Sequence, residues 1–175
     1  LNQGVVEAAI FLLLGALEVR YGTSQIGEFG GLAAKIPRLT SFFVIATLAM
    51  IGLPLLNSFV GEFLILSSTF NGVSRGWAIA ATVGVILGAA YMLWLVQRVF
   101  YGGESKLALQ KPTDDLQFGE LAILTPVVVL MLVMGVAPMK WINTIETGVH
   151  LPPIHSANTL PPSMLQLAPP GEVQR

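Results

Sequence analysis

Apolar residues run along this chain in long blocks, each bounded by glycine, proline or charge. The first, about Asn2 to Val19, is apolar apart from Asn2, Gln3, Glu7 and Glu18. Others follow at about Leu39 to Phe70, Trp77 to Tyr101 and Leu121 to Ile142. Apolar runs of roughly eighteen residues or more match the hydrocarbon thickness of a bilayer, whereas the core helices of soluble domains are usually shorter. The blocks therefore predict an all-α, polytopic transmembrane bundle of four helices. Between the first two, Glu18-Val19-Arg20-Tyr21-Gly22 leads into a glycine-rich connection through Lys35, Pro37 and Arg38. A short interfacial turn is expected within residues 23–31.

The second block is too long for one crossing. A continuous helix over it would extend ~48 Å at ~1.5 Å per residue, against a hydrocarbon core of ~30 Å. It must tilt, project or break, and Gly52-Leu53-Pro54 supplies a break, with Asn57, Ser58 and Gly61 following. Proline removes a backbone donor and clashes with the preceding turn, so unpaired carbonyls are expected near Met50 and Ile51. Such groups cannot face lipid and belong inside protein or against water. In the third block, Gly84 and Gly88 form a small-residue pair that admits close helix contact. Trp77 and Tyr101 at its ends fit interfacial anchoring. The fourth block has Pro126 near its start and Pro138 near its end.

Residues 1–147 thus read as the transmembrane part and residues 148–175 as a proline-rich tail. The pairs Pro152-Pro153, Pro161-Pro162 and Pro169-Pro170 forbid a regular spanning helix there and predict an extended or partly disordered arm. The chain begins with Leu1 and lacks the basic flank and cleavage pattern of a signal peptide, so it is expected to be a fragment whose first helix is already under way.

Composition sharpens this reading. Hydrophobic residues make up 54% of the 175 and charged residues only 11%, where soluble domains carry roughly a quarter charged. With no cysteine, disulfides and thiolate metal or cluster ligation are excluded within the chain. His150 and His155 stand in the tail with no ligand partner at metal spacing, so no metal is expected. A net charge of −1 with 9 basic residues leaves no patch for nucleic acid. The phosphate loop, the dinucleotide fingerprint and the nucleophile elbow are all absent, and no nicotinamide, flavin or quinone site is assignable to these residues. Arg20, Lys35, Arg38, Arg98, Lys106 and Lys111 in or beside the first and third connections outnumber Arg75, Lys140 and Arg175 on the other side. By the positive-inside rule those connections are cytoplasmic and the tail outside, for a multi-pass protein of a bacterial inner membrane.

Polar groups inside the blocks are the functional candidates. Glu62 is the foremost, because a carboxyl beside an interrupted span is expensive to expose to lipid and must face protein or water. An acid caught between burial and a nearby base can load and release a proton. The competing reading is a boundary glutamate hydrogen-bonded to a neighbouring helix. Glu7, with Gln3 one turn earlier on the same face, belongs either to an active path or to an interface. Asn57 and Ser58 satisfy the broken helix or hold a water. Arg98 either snorkels toward headgroups or forms an ion pair that fixes the bundle.

Gly30-Gly31-Leu32-Ala33, Pro37, Leu48-Ala49-Met50-Ile51-Gly52-Leu53-Pro54 and Phe59-Val60-Gly61-Glu62-Phe63, in that order, resemble the late part of the antiporter-like, proton-translocating membrane subunits of respiratory NADH:quinone oxidoreductase (complex I). The glutamate of Gly-Glu-Phe is most similar to that of the M, or chain 4, type, and the resemblance covers about residues 1–145. It implies that the blocks correspond to helices eleven to fourteen of a fourteen-helix subunit. Glu62 then matches the protonatable residue near the outlet of the proton channel, Pro54 the proline of the helix break, and Arg98 the basic residue ending the thirteenth helix. Many relatives carry histidine where this chain has Gln3, so no histidine relay is implied there. The resemblance also implies that NADH, FMN, iron–sulfur clusters and quinone are held by other subunits, and that the partners here are neighbouring membrane-arm subunits, the lipid bilayer, protons and channel water. The family's earlier glutamate–lysine pair and central lysine would lie before Leu1, so the chain by itself is not expected to pump. Two other readings stay open: a secondary Na+ or K+/proton antiporter subunit with the same broken-helix logic, and a mainly structural section of the membrane arm.

Overall fold

The structure, a computed structural model, describes residues 2–72, 74–110, 114–139 and 143. The proline-rich tail and its two histidines lie outside the described residues. Among the described residues six α-helices are formed: α1 (Asn2–Tyr21), α2 (Pro37–Met50), α3 (Asn57–Gly72), α4 (Arg75–Phe100), the short α5 (Lys106–Gln110) and α6 (Phe118–Val136). All belong to the first of two compact units, Leu1–Pro138 and Met139–Arg175.

Each helix buries the stripe its spacing dictates. On α1, Val6, Ala9, Ile10, Leu13, Leu17 and Tyr21 recur every three or four residues and are buried. On α6, Leu124, Val128, Met131 and Met134 do the same. These stripes meet Leu39, Phe43 and Ala46 of α2, and Phe43 packs on Phe100 with ring centroids 5.0 Å apart. The reverse faces are equally apolar yet open: Phe11, Ile86, Trp94 and Val136 are all exposed. A helix apolar all round is built for lipid or for other protein on its outer side. In α4 only 6% of the most apolar window is buried.

The four expected helices become five long ones, because the second block is divided into α2 and α3. Two, α4 and α6, are individually long and apolar enough to cross a bilayer. At 14 and 16 residues, α2 and α3 are each too short for a full crossing. The expected turn after α1 is present as a 3-10 turn at Ile26–Glu28.

The division falls at Gly52-Leu53-Pro54, as the sequence predicts, and the stop itself is made by Gly52. Gly52 N–H donates to Ala49 O at 3.2 Å and Leu53 N–H to Leu48 O at 3.0 Å, while Gly52 has φ 78°. This is the paired-bond, left-handed stop that glycine supplies past a helix end, and proline commonly follows it. The motif pairs the carbonyls of Ala49 and Leu48, immediately before the Met50 and Ile51 carbonyls that the sequence pointed to. Two expectations are corrected. Pro138 falls beyond α6, which stops at Val136, since the residue before a proline is pushed out of the helical region. Gly84 and Gly88 make no tight contact, and a Cβ at either would meet nothing within 4 Å.

The connections after α1 and after α4 are knotted together. Arg20, at the end of α1, holds Glu120 of α6 through both terminal guanidinium nitrogens, Nη1 and Nη2, at 2.9 and 2.5 Å. It also donates to the carbonyls of Ala16, Asp114 and Asp115. Asp115 accepts the N–H groups of Arg38 and Leu39 at 2.7 and 3.0 Å, capping the start of α2 from a distant part of the chain. Ser105 N–H donates to Gly30 O at 3.3 Å, so the two connections share one end of the unit, as their common basic charge requires.

Candidate functional site: a carboxyl at the interrupted helix

Residues 51–56 join α2 to α3 without helical structure. Glu62, in the second turn of α3, folds back over this interruption. A Cβ on Gly52 would collide with the Glu62 carboxylate and would lie 3.0 Å from its Cδ. The conformation at Gly52 thus serves two purposes: it stops α2, and it leaves room for the acid.

The same carboxyl lines a cavity of about 220 Å³, walled by Met50 and Ile51 at the end of α2 and by Val85, Gly88, Ala89, Tyr91 and Met92 of α4. Gly88 stands at the middle of the 26-residue α4, so the acid sits at the depth of the centre of a membrane-crossing helix. Glu62 is the only carboxylate among these lining residues. It pairs with no cation among the described residues. A carboxyl at such depth, with a cavity beside it and no fixed counter-ion, is suited to exchanging a proton rather than to holding a permanent ion pair.

The start of α3 is fastened to α1. Asn57 Nδ2 donates to Asn2 O at 2.9 Å and Asn2 Nδ2 donates to Asn57 O at 3.0 Å, a reciprocal clasp between two helix starts. Asn57 is wholly buried, as is Ser58 nearly so. The Asn57 Oδ1 and Ser58 Oγ atoms, with Thr47 Oγ1 in the last turn of α2, are buried without a hydrogen-bond partner among the described residues. Ser58 and Glu62 are four residues apart and share a helix face. Leu55, inside the interruption, has φ 80°, a left-handed conformation unusual for a branched side chain. On the far side α6 comes so close that a Cβ at Gly135 would strike the Leu55 carbonyl.

The structure therefore gathers Glu62, Pro54, Asn57 and Ser58 around one interruption and adds Gly52 and Thr47 to them. Glu7 and Gln3 are not among the residues of this cavity: Gln3 Nε2 donates to Glu7 Oε1 at 3.0 Å, and both are exposed on α1. Arg98 also stands apart, exposed, in a different cavity of about 540 Å³ with Glu28, Glu104 and Lys106. The ion pair that fixes the bundle belongs to Arg20 and Glu120, not to Arg98. Sequence reasoning counted Arg20 only as topological charge. The one local clue was Glu120, three residues after Gln117, whose side chains form a capping box at the start of α6. No group of three or more histidine, aspartate or glutamate side chains capable of holding a metal occurs among the described residues.

An all-helical bundle with an interrupted helix and an acid at mid-depth defines a class, that of polytopic membrane proteins of antiporter-like fold. Comparison with known proteins gives the family. Residues 1–89 match the family described as NADH:quinone oxidoreductase/Mrp antiporter, transmembrane. Chain 4 of NADH-ubiquinone oxidoreductase from Chondrus crispus is 37% identical over 146 residues, covering 83% of this chain and 29% of the relative. Subunit M of NADH-quinone oxidoreductase from Rhodobacter capsulatus is 41% identical over 138 residues, 79% of this chain and 27% of the relative. Among solved structures, respiratory complex I from Thermus thermophilus with bound NADH contains a chain matched with TM-score 0.67 and 38% identity over 73% of this chain and 26% of that one. The Mrp complex from Dietzia sp. DQ12-45-1b is matched in fold, with TM-score 0.69 and 20% identity over 80% of this chain and 34% of that one. The chain belongs to the family described as NADH:quinone oxidoreductase/Mrp antiporter, transmembrane, and is a multi-pass membrane protein; the Chondrus crispus and Rhodobacter capsulatus relatives, 37% and 41% identical to it, are of the chain 4 and subunit M type. It spans about 30% of the length of the curated relatives it matches.

Proposed function

We propose that this chain forms the outlet section of a proton-translocating subunit, which couples NADH:quinone electron transfer carried out in other subunits to proton pumping. The observation that carries this reading is the Glu62 carboxyl, turned onto Gly52 at the interrupted helix and facing a cavity at the middle of α4. In this reading a proton arriving by water from the interior of the complete subunit binds one Glu62 carboxylate oxygen. It leaves to water on the outer side when the surrounding field changes. The interruption lets the backbone beside the acid shift without breaking a continuous ladder of helix bonds. NADH, FMN, iron–sulfur clusters and quinone belong to partner subunits. The helices are the eleventh to fourteenth of the complete protein, with α2 and α3 as halves of one crossing. Residues 1–147 form the membrane part, followed by the tail of residues 148–175. The knotted, basic connections lie on the cytoplasmic side of a bacterial inner membrane.

The fold likeness to the Mrp complex supports a second reading, exchange of Na+ or K+ for protons in a subunit of the same architecture. Both are separated from a purely structural role by Glu62→Gln in the complete complex, assembled and reconstituted in liposomes. Proton-transport coupling predicts that proton uptake per NADH oxidised falls severalfold and is restored in part by Glu62→Asp. Unchanged pumping in a fully assembled Glu62→Gln complex supports the structural role instead. Pumping that stops when choline replaces Na+ and K+ supports cation exchange.

A further inference from the structure

The cavity around Arg98 has no part in the site above, and its chemistry is distinctive. Its walls carry two cations, Arg98 and Lys106, and two anions, Glu28 and Glu104. All four are exposed, and none is bonded to another among the described residues. Arg98 lies in the last turn of α4, so the cavity is level with the end of a membrane-crossing helix, where lipid headgroups lie. Beside it is a second, mainly apolar cavity of about 450 Å³, whose walls include Phe11, Leu14, Tyr91, Leu95 and Val99 and one carboxylate, Glu18. The Ile26–Glu28 turn is the partition: Ile26 and Phe29 face the apolar cavity, Gly27 and Glu28 the charged one. Phe11 is 71% and Tyr91 54% exposed, so the apolar cavity opens on the outer side of α1 and α4 in this chain, and Tyr91 also walls the Glu62 cavity.

We propose that the two cavities together hold one phospholipid with a phosphoethanolamine headgroup, lying over the Ile26–Glu28 turn. Arg98 and Lys106 bind the phosphate, as guanidinium and ammonium groups do. Glu28 and Glu104 accept hydrogen bonds from the primary ammonium. One acyl chain fills the apolar cavity between α1 and α4. The paired charges of the Arg98 cavity select this headgroup: a purely anionic lipid is repelled by Glu28 and Glu104, with Glu18 in the neighbouring cavity adding to that repulsion, and a quaternary ammonium has no N–H to donate.

The test uses the complete complex in vesicles containing either phosphatidylethanolamine or phosphatidylglycerol with a photoactivatable group on the same acyl chain, followed by mapping of the labelled peptides. The expected result is labelling of the Phe11–Leu14 and Tyr91–Leu95 segments, severalfold stronger with the ethanolamine lipid. Arg98→Gln with Lys106→Gln lowers that labelling by about tenfold, from the loss of two basic contacts near the membrane surface. Glu28→Gln with Glu104→Gln, a second variant of opposite charge, raises phosphatidylglycerol labelling to the ethanolamine level. Equal labelling by the two lipids, labelling indifferent to both double variants, or no labelling of these segments because another polypeptide covers them would each overturn the proposal. NADH oxidation by each variant complex reports its assembly.

Discussion

At Gly52 two demands fall on one atom. The backbone must turn left-handed to end α2, and no Cβ can stand where the Glu62 carboxylate rests. Gly52→Ala therefore carries a left-handed penalty of ~1–2 kcal/mol and displaces the acid as well. Leu55 has the same sign of φ with a side chain 70% exposed, so little packing is lost on its removal. Leu55→Gly should be neutral or stabilising by up to ~1 kcal/mol, while Gly52→Ala is destabilising. Thermal denaturation of the full-length subunit in detergent should show a lowered midpoint for Gly52→Ala and an unchanged or raised one for Leu55→Gly. A pair of equal shifts would mean that the interruption is not held in this form. Glu62 was legible in the sequence because an acid in an apolar block is costly to leave in lipid. The break at Gly52-Leu53-Pro54 was legible as well, but not the form of the stop, because glycine past a helix end is common and only the two bonds from Gly52 and Leu53 reveal the motif.

Among the helices, the tie between α1 and α6 is the strongest polar contact described. Arg20 uses three nitrogens to reach Glu120 and three backbone carbonyls. Lysine offers a point charge and cannot reproduce that fork. Arg20→Lys should destabilise the subunit by about 1–3 kcal/mol, the range for lost charge-assisted hydrogen bonds, and Asp115→Ala by about 1 kcal/mol through the lost cap of α2. Limited proteolysis of the connections around residues 23–35 and 101–117 checks both, with faster cleavage expected in each variant. The helices themselves were read nearly in place, since apolar blocks fix their existence while capping and backbone bonds fix their ends. The knot was invisible because its partners are far apart in the chain, and nothing local in Arg20 or Asp115 announces what each will meet.

Taken whole, the unit places basic connections at one end, an interrupted helix within, and apolar outer faces along α4 and α6. The absence of cysteine makes the arrangement testable by single introduced thiols. Ser24→Cys and Asp114→Cys should react with an impermeant maleimide from the same side of the membrane, and Ser74→Cys from the opposite side. Reaction of Ser74→Cys and Asp114→Cys from one side would contradict the crossing of α4.

The depth of Glu62 matters only if its carboxyl gains and loses a proton during turnover. Infrared difference spectra of the complete complex, recorded on addition of NADH, report that event through the carbonyl band of a protonated carboxyl. A band that shifts in D2O and is missing from an assembled Glu62→Gln complex is the predicted result. Identical carboxyl bands in the variant and the unaltered complex would mean that Glu62 does not exchange a proton.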